Sequence, residues 1–265
     1  MAGLLTVCYV LLFFFGAAVF SFCNVAALRI PEKKGFVTGR SQCPGCGKEL
    51  KWYHTVPVLS YLFLRGKCAY CKQKISPRYL LWELLGGGIA CLTFFLQCGS
   101  LLSLTALSFF RFLLLFAFFA VLGVVALIDG ATMEIPNGPI LILAGLGLVS
   151  IFLFPETGLI QRGIGIVCVS VPFLLLALVI EGAFGGGDIK LMAACGLFLG
   201  WKLNLTALFF ALLVGGAWGA WLLLTKRRGR KDQLAFGPFL CAGVAASALF
   251  GQQALDWYLK FFTMA

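Results

Sequence analysis

The chain has 265 residues, of which 61% are hydrophobic and 12% are charged, and its mean hydropathy is +1.00. This composition excludes an ordinary soluble domain, in which about a quarter of the residues are charged, and it also excludes a disordered chain. The formal net charge of +11 comes mainly from basic residues between 29 and 78 and between 226 and 231, beside apolar runs. Basic loops next to apolar spans are typical of a multi-pass membrane protein that touches anionic lipid, so we expect membrane lipid and no nucleic acid as a partner.

The first predicted element is a transmembrane helix over residues 1–28. This run contains no Lys, Arg, Asp or Glu, and it exceeds the roughly 20 apolar residues that a spanning helix needs. It is too long for the apolar core of a signal peptide and has no basic leader, so we expect the protein to retain it.

A polar, basic loop over residues 29–79 comes next, and apolar segments dominate residues 80–265. The predicted fold is therefore an all-α polytopic membrane protein with about eight transmembrane helices and a small zinc-ribbon-like loop domain after the first helix. The last part, 80–265, is the predicted catalytic core, and its segment 189–201 is short enough to be a half-helix. The apolar segments after the loop are 80–97, 103–127, 137–155, 162–181, 189–201, 204–224 and 236–256.

The distribution of basic residues predicts the orientation of these spans. If the loop is cytoplasmic, the N-terminus is outside, and residues 128–136, 182–188 and 225–235 return to the cytoplasmic side. Seventeen of the 21 basic residues then lie on or near that side. The exceptions are Arg111, Arg162, Lys202 and Lys260.

Four of the 11 cysteines form two CxxC pairs in the loop, with 21 residues between the pairs. Two such knuckles place four thiolates around one Zn²⁺, and because protein ligands fill every position, the metal is expected to be structural. Two disulfides or four free thiols are the alternatives, and a reducing cytoplasm disfavours the disulfides. His54 could compete as a ligand, but we expect it to be a surface or interface residue. The predicted ligands are Cys43, Cys46, Cys68 and Cys71.

Two of the ten acidic residues are candidates for chemistry at the edges of apolar segments, Asp129 at the end of a run and Asp188 after Gly185, Gly186 and Gly187. Two predicted helices separate them, so we expect both carboxylates at the cytoplasmic edge of the bilayer. Two neighbouring carboxylates share a proton, and the pair then combines a general base with a general acid, as in an aspartyl protease. The three glycines remove side-chain bulk and would let a substrate strand approach the backbone.

Helix capping and a role in an ion pathway are the alternatives for these aspartates. Asp188 precedes a predicted helix, where Asp is a favoured N-cap residue. Asp129 lies at the C-terminal end of a predicted helix, where a negative charge opposes the helix dipole, so its position favours a functional role.

The stretch 236–239 opens the last apolar segment on the same face as the aspartates. Gly237 and Pro238 either begin a plain helix, since Pro suits a first helical turn, or offer unwound backbone to an extended substrate. The sequence leaves the roles of Glu83 and Glu181 open, although both lie near predicted helix ends.

Six stretches together resemble the signatures of one family, in the same order and over nearly the whole chain. They are 21–25 (SFCNV), the cysteine loop 43–83, 128–129 (ID), 135–137 (IPN), 185–191 (GGGDIKL) and 236–239 (FGPF). The family is the prepilin leader peptidases, which include bifunctional peptidase/N-methyltransferases.

This resemblance implies a substrate, a location and a second activity. The substrate would be a type IV prepilin or pseudopilin with a short basic leader, cleaved after a Gly at the cytoplasmic face of the bacterial inner membrane. The new N-terminal residue would then be methylated with S-adenosylmethionine. Asp129 and Asp188 match the catalytic aspartates of the family, and the four loop cysteines match its metal-binding tetrad.

Two other classes of protein remain as alternatives. An ion- or proton-coupled transporter also uses intramembrane carboxylates, but usually near the bilayer midplane and with repeated halves, whereas no repeat is visible here. The loop could also be a zinc-binding module that serves only for docking.

Overall fold

The computed structural model describes residues 2–33, 35, 42–43, 45–99, 104–180, 184–225 and 234–263. Within these ranges the regular structure is helical, and extended pairing is limited to two isolated bridges, Gln42 with Glu49 and Lys67 with Lys74. A 3₁₀ turn covers Trp52–His54. The α-helices are α1 (Ala2–Arg29), α2 (Leu59–Phe63), α3 (Pro77–Cys98), α4 (Ala106–Thr132), α5 (Asn137–Leu153), α6 (Leu159–Val179), α7 (Gly186–Leu199), α8 (Trp201–Leu224) and α9 (Gly237–Thr263).

The long helices have the length and composition of membrane spans. In the described part of the chain, six helices are long and apolar enough to cross a bilayer, namely α1, α3, α4, α6, α8 and α9. The all-helical polytopic prediction is therefore confirmed, and each predicted apolar segment coincides with one helix. Helix α5 is shorter, and α7 has only 14 residues, about 21 Å of helix against a hydrocarbon core of about 30 Å.

Large apolar side chains cover the outside of these helices. Phe152, Val179 and Leu224 are each more than 80% exposed. Apolar surface on this scale would be costly in water but is the expected surface of helices that face lipid.

The contacts within the chain divide it into two compact units, Met1–Phe116 and Ala117–Ala265. In the first unit α1 packs against α3, which the sequence analysis had grouped with the catalytic core. Gly16 and Gly86 meet at this contact, and a Cβ on either residue would overlap the backbone of the other. Close approach of this kind is typical of small residues between membrane helices.

Glu83 holds the loop to these two helices. Its Oε1 accepts a hydrogen bond of 2.8 Å from the Ser21 hydroxyl on α1, and its Oε2 accepts one of 2.7 Å from the Val58 backbone N–H. Val58 has a φ of +63°, which is rare for a β-branched residue. The carboxylate thus fixes the loop in a strained conformation, a role that the sequence left open. Glu181 lies outside the described residues.

The second unit contains the end of α4 and helices α5 to α9. The short α7 occupies its centre, packed against α5, α6, α8 and α9. The buried Asn204 on α8 donates hydrogen bonds of 2.9 Å and 3.2 Å to the carbonyl oxygens of Gly165 on α6 and Met192 on α7. Side-chain amides often join membrane helices in this way, and here the bonds hold α7 in place.

Candidate functional site

Asp129 and Asp188 lie at two helix ends that meet inside the second unit. Asp129 is in the last turn of α4 and is 5% exposed, and Asp188 is the third residue of α7 and is 8% exposed. The two carboxylates are close enough to interact electrostatically. The structure therefore brings together two carboxylates that are 59 residues apart in the chain.

Contacts beside the two aspartates hold these helix ends together. A Cβ on Gly187 would lie 2.8 Å from the Cβ of Ile135, so the backbone of α7 packs directly on the segment that follows α4. The Lys190 ammonium donates a hydrogen bond of 3.1 Å to Oδ1 of Asn137, the first residue of α5. Asn137 and Lys190 lie within the motifs 135–137 and 185–191, but the sequence does not assign either residue a role.

Gly237 connects the start of α9 to the pair. Its backbone N–H donates a hydrogen bond of 2.9 Å to Oδ2 of Asp129. A Cβ at this position would lie 2.6 Å from the same oxygen, so only glycine lets the amide approach. Pro238 follows in the first turn of α9, as expected for a helix start.

One carboxylate oxygen of Asp188, Oδ1, is buried without a hydrogen-bond donor among the described residues. A buried carboxylate oxygen is costly when it lacks a partner, and a shared proton reduces that cost. The position therefore suits one carboxylate of a proton-sharing pair.

The capping interpretation of Asp188 is wrong. Helix α7 begins at Gly186, the N-cap residue is Gly185, and the described structure contains no side-chain cap at this end. Instead, the Asp188 backbone N–H donates a hydrogen bond of 3.0 Å to the Gly185 carbonyl oxygen.

The three glycines before Asp188 differ in their surroundings. Gly187 packs on Ile135, and nothing lies within 4 Å of a Cβ on Gly186. A Cβ on Gly185 would lie 3.5 Å from Oδ2 of Asp188. Gly186 and Gly187 are helical, so Gly185 is the one member of the triplet with extended backbone next to the carboxylate.

The four loop cysteines form a second cluster, in the first unit. All four sulfur atoms lie within 4.8 Å of one another, and the thiols of Cys43 and Cys71 are 3.8 Å apart. Tetrahedral Zn²⁺ with Zn–S bonds of about 2.3 Å requires sulfur atoms about 3.8 Å apart, whereas a disulfide needs about 2.05 Å. The residues fit a four-thiolate metal site, and the geometry does not fit two disulfides.

The two knuckles share one backbone pattern. The Cys43 N–H donates to the Lys48 carbonyl oxygen at 3.0 Å, and the Cys68 N–H donates to the Gln73 carbonyl oxygen at 2.9 Å. Gly47 and Lys72, each four residues after the first cysteine of its knuckle, have φ values of +68° and +58°. Pro44 of the first knuckle lies outside the described residues.

Backbone amides favour the thiolate form of Cys68 in the second knuckle. The N–H groups of Cys71 and Tyr70 point at the sulfur of Cys68 and lower the pKa of this thiol to about 6. Metal ligation requires the thiolate form. His54 is not part of the four-sulfur cluster and lies between the rings of Tyr53 and Tyr70, with ring centroids 4.4 Å and 5.4 Å away.

The chain is similar to known proteins over most of its length. Residues 14–97 match the model of the bacterial peptidase A24 N-terminal domain, and residues 116–220 match that of the type IV leader peptidase family. Three relatives carry the name prepilin leader peptidase/N-methyltransferase. The one from Bacillus subtilis (strain 168) is 34% identical and covers 94% of this chain and 97% of its own. Those from Burkholderia pseudomallei (strain K96243) and Pseudomonas aeruginosa are 36% and 31% identical, covering 84% and 87% of this chain and 71% and 80% of their own. No solved structure matches the chain.

Proposed function

The chain belongs to the prepilin leader peptidase/N-methyltransferase family, and we propose that it cleaves the leader peptide of a type IV prepilin or pseudopilin and methylates the new N-terminal residue. The observation that carries the peptidase activity is the meeting of Asp129 and Asp188 at two buried helix ends. Two such carboxylates supply the acid and the base of peptide hydrolysis without a metal.

The proton of the pair is assigned to Asp188. Oδ2 of Asp129 already accepts the Gly237 N–H, whereas Oδ1 of Asp188 has no donor among the described residues and is the natural place for a shared proton. Asp129 is then the ionised member, and the Gly237 bond orients its carboxylate.

Hydrolysis follows from these two states. Asp129 takes a proton from a water molecule as the water oxygen bonds to the scissile carbonyl carbon, and Asp188 donates its proton to the carbonyl oxygen. When the intermediate collapses, the C–N bond breaks and the proton held by Asp129 passes to the leaving amine. The hydroxyl of the intermediate returns its proton to Asp188, so both carboxyls recover their starting states.

Gly185 and Pro238 are proposed to border the path of the substrate backbone. Gly185 is extended and adds no side-chain atom beside the Asp188 carboxylate, and Pro238 follows the Asp129 partner Gly237 in the first turn of α9. Gly186 adds open space on the first turn of α7. Gly187 and Gly237 are proposed to act indirectly. Gly187 packs the start of α7 against Ile135, and Gly237 holds the Asp129 carboxylate through its N–H group.

Methyl transfer is proposed to depend on the first unit. The family name implies S-adenosylmethionine, whose methyl group the new N-terminal amine would attack as the bond between carbon and sulfur breaks. Cys43, Cys46, Cys68 and Cys71 would hold one Zn²⁺ that folds the loop, with no position open for catalysis.

The proposed location is the bacterial inner membrane, with the N-terminus outside and the aspartates at the cytoplasmic face. The basic loop 29–79 supports this orientation. Eight crossings are proposed, with α5 and α7 as the shorter ones. The comparisons give no support to the ion- or proton-coupled transporter. The match of residues 14–97 to a peptidase N-terminal domain supports an enzyme over a docking module alone.

Incubation of the purified protein with a prepilin, with and without S-adenosylmethionine, tests the function by mass spectrometry. We expect the leader to be lost in both reactions and one methyl group to be added only when the methyl donor is present. An intact prepilin in both reactions would contradict the peptidase proposal. A cleaved but unmethylated product in the presence of the donor would contradict the second activity.

A further inference from the structure

Arg162 is a charged residue that the proposed reaction does not use. It is the fourth residue of α6, it is 1% exposed, and it is the largest fully buried side chain of the described residues. A guanidinium keeps its charge in proteins, so its burial in an apolar bundle is costly unless every donor is satisfied. The sequence analysis had placed this residue outside, as an exception to the charge bias.

The guanidinium donates six hydrogen bonds within the described residues. All six acceptors are neutral oxygens, and most of them belong to the C-terminal ends of α5 and α7. Nε donates to the carbonyl oxygen of Thr157 at 3.0 Å. Nη1 donates to Ser150 Oγ at 2.6 Å and to the carbonyl oxygens of Leu197 at 2.8 Å and Phe198 at 3.0 Å. Nη2 donates to the carbonyl oxygens of Ser150 at 3.1 Å and Phe154 at 2.9 Å.

Helix ends explain both the charge and the geometry of this site. The last four carbonyls of a helix have no partner in the helix, and each C-terminus carries about half a negative charge. Two such ends together offset the single charge of Arg162, with a further attraction from Glu156. Arg162 is therefore a shared C-terminal cap, whose donors reach the carbonyls of Ser150 and Phe154 at the end of α5 and of Leu197 and Phe198 at the end of α7.

The opposite ends of the same helices form the candidate active site. Helix α7 carries Asp188 in its first turn, and α5 begins at Asn137, which accepts the hydrogen bond from Lys190. Helix α7 is thus held at both ends, by Arg162 and by the contacts next to Asp188. A displacement at the capped end moves Asp188, because a helix of 14 residues behaves as a rigid rod.

We propose that Arg162 is a positioning residue for the peptidase reaction: by capping α5 and α7 together, it sets the axial position of α7 and so the place of Asp188 relative to Asp129. This inference rests on the proposed function. The effect is expected mainly on the chemical step, since a misplacement of about 1 Å in a catalytic group costs on the order of 100-fold in rate.

The test compares kcat and KM for prepilin cleavage in three variants. Each protein is taken from the monodisperse fraction, and kcat is calculated per folded molecule. Arg162→Met removes every donor, Arg162→Lys keeps the charge with three donors in place of five, and Ser150→Ala removes one acceptor. We expect kcat to fall on the order of 100-fold for Arg162→Met, about tenfold for Arg162→Lys and less for Ser150→Ala, with KM within about twofold of wild type. The matched control is Lys202→Met, an exposed cation at the same end of the bundle that lies over the ring of Trp201 and is expected to keep wild-type kcat.

The outcomes separate positioning from folding. If Arg162 only supports the fold, the yield of folded protein falls while kcat per folded molecule stays at the wild-type value, and the proposal is overturned. If Arg162→Met does not fold at all, Arg162→Lys and Ser150→Ala decide by the same criterion. A wild-type protein that does not cleave prepilin overturns the proposed function itself, and is recognised before any variant is compared.

Discussion

Asp129 and Gly237 are 108 residues apart in the chain, and their hydrogen bond of 2.9 Å shows how single atoms shape the candidate site. The carboxylate needs an N–H donor at this place, and the donor residue has no room for a Cβ. At the residue scale, activity should therefore depend on the two carboxyl groups and on the absence of a side chain at Gly237.

Replacement of either aspartate by asparagine should abolish cleavage and leave the fold intact. Asn has the shape of Asp but can neither take a proton from water nor share one, so Asp129→Asn and Asp188→Asn should each lower cleavage by several orders of magnitude. The double variant should be little worse than the singles, because residues that act as a unit are not additive. The measurement is leader removal by purified protein, and substantial cleavage by either variant would exclude an aspartyl mechanism for that residue.

Gly237→Ala should impair cleavage through Asp129. The added Cβ would lie 2.6 Å from Oδ2, so the carboxylate must rotate or α9 must shift, and we expect kcat to fall on the order of 100-fold. Gly130→Ala is the matched control, since it also adds one methyl group next to Asp129 but meets only Cγ of Pro238 at 3.6 Å. Equal activity of the two variants would show that the Gly237 contact is unimportant.

At the scale of elements, the knuckles 43–47 and 68–72 are two copies of one turn that meet at their sulfur atoms. Such a small loop has little apolar core, so bound metal is expected to supply most of its stability. The cluster belongs to the first unit and the aspartates belong to the second, which predicts that metal loss affects the two activities unequally.

Cys43→Ser combined with Cys68→Ser should remove about one Zn²⁺ per chain and loosen residues 42–75. Methylation should fall more than cleavage, because the aspartates belong to the second unit. Elemental analysis and hydrogen exchange measure the first two effects, and Cys8→Ser is the control for loss of a thiol outside the cluster. Wild-type protein without bound metal would contradict the zinc site. Loss of cleavage with intact methylation would contradict the proposal that the metal loop serves methylation more than cleavage.

At the scale of the whole molecule, the placement of basic residues predicts how the chain crosses the membrane. Lys51 belongs to the basic loop and Glu156 to the connection between α5 and α6, and both side chains are exposed. The positive-inside rule places these two positions on opposite sides of the bilayer.

Labelling with a membrane-impermeant maleimide tests this orientation. In intact cells with a permeabilised outer envelope, Glu156→Cys should be labelled above the background of the parent protein, and Lys51→Cys should be labelled only after lysis. Labelling of Lys51→Cys before lysis would place the basic loop outside and invert the proposed topology.

Sequence patterns predict the helices but not the residues at which the helices begin and end. Helix α7 begins at Gly186, three residues before the predicted segment, because glycine disfavours helix and the apolar pattern starts only after Asp188. Packing of Gly187 on Ile135 outweighs that local preference. Helix α4 likewise continues to Thr132, which places Asp129 in its last turn.

The sequence by itself determined the features that depend on short-range spacing. Apolar runs predicted each of the long helices, since a bilayer demands length and hydrophobicity and nothing more specific. The two CxxC pairs predicted the four-thiol cluster, because a knuckle is a local turn. The even number of helices between Asp129 and Asp188 predicted that the two carboxylates share one edge.

Only the tertiary structure decided which distant groups satisfy one another. The bond from Gly237 to Asp129, the anchoring of the loop by Glu83 and the burial of Arg162 under two helix ends join residues with no local pattern in common. The physical reason is that a buried polar side chain can be satisfied by any backbone N–H or carbonyl group that the fold places near it, and almost every residue carries both. The sequence states which groups must be satisfied, and the packing of the helices selects their partners.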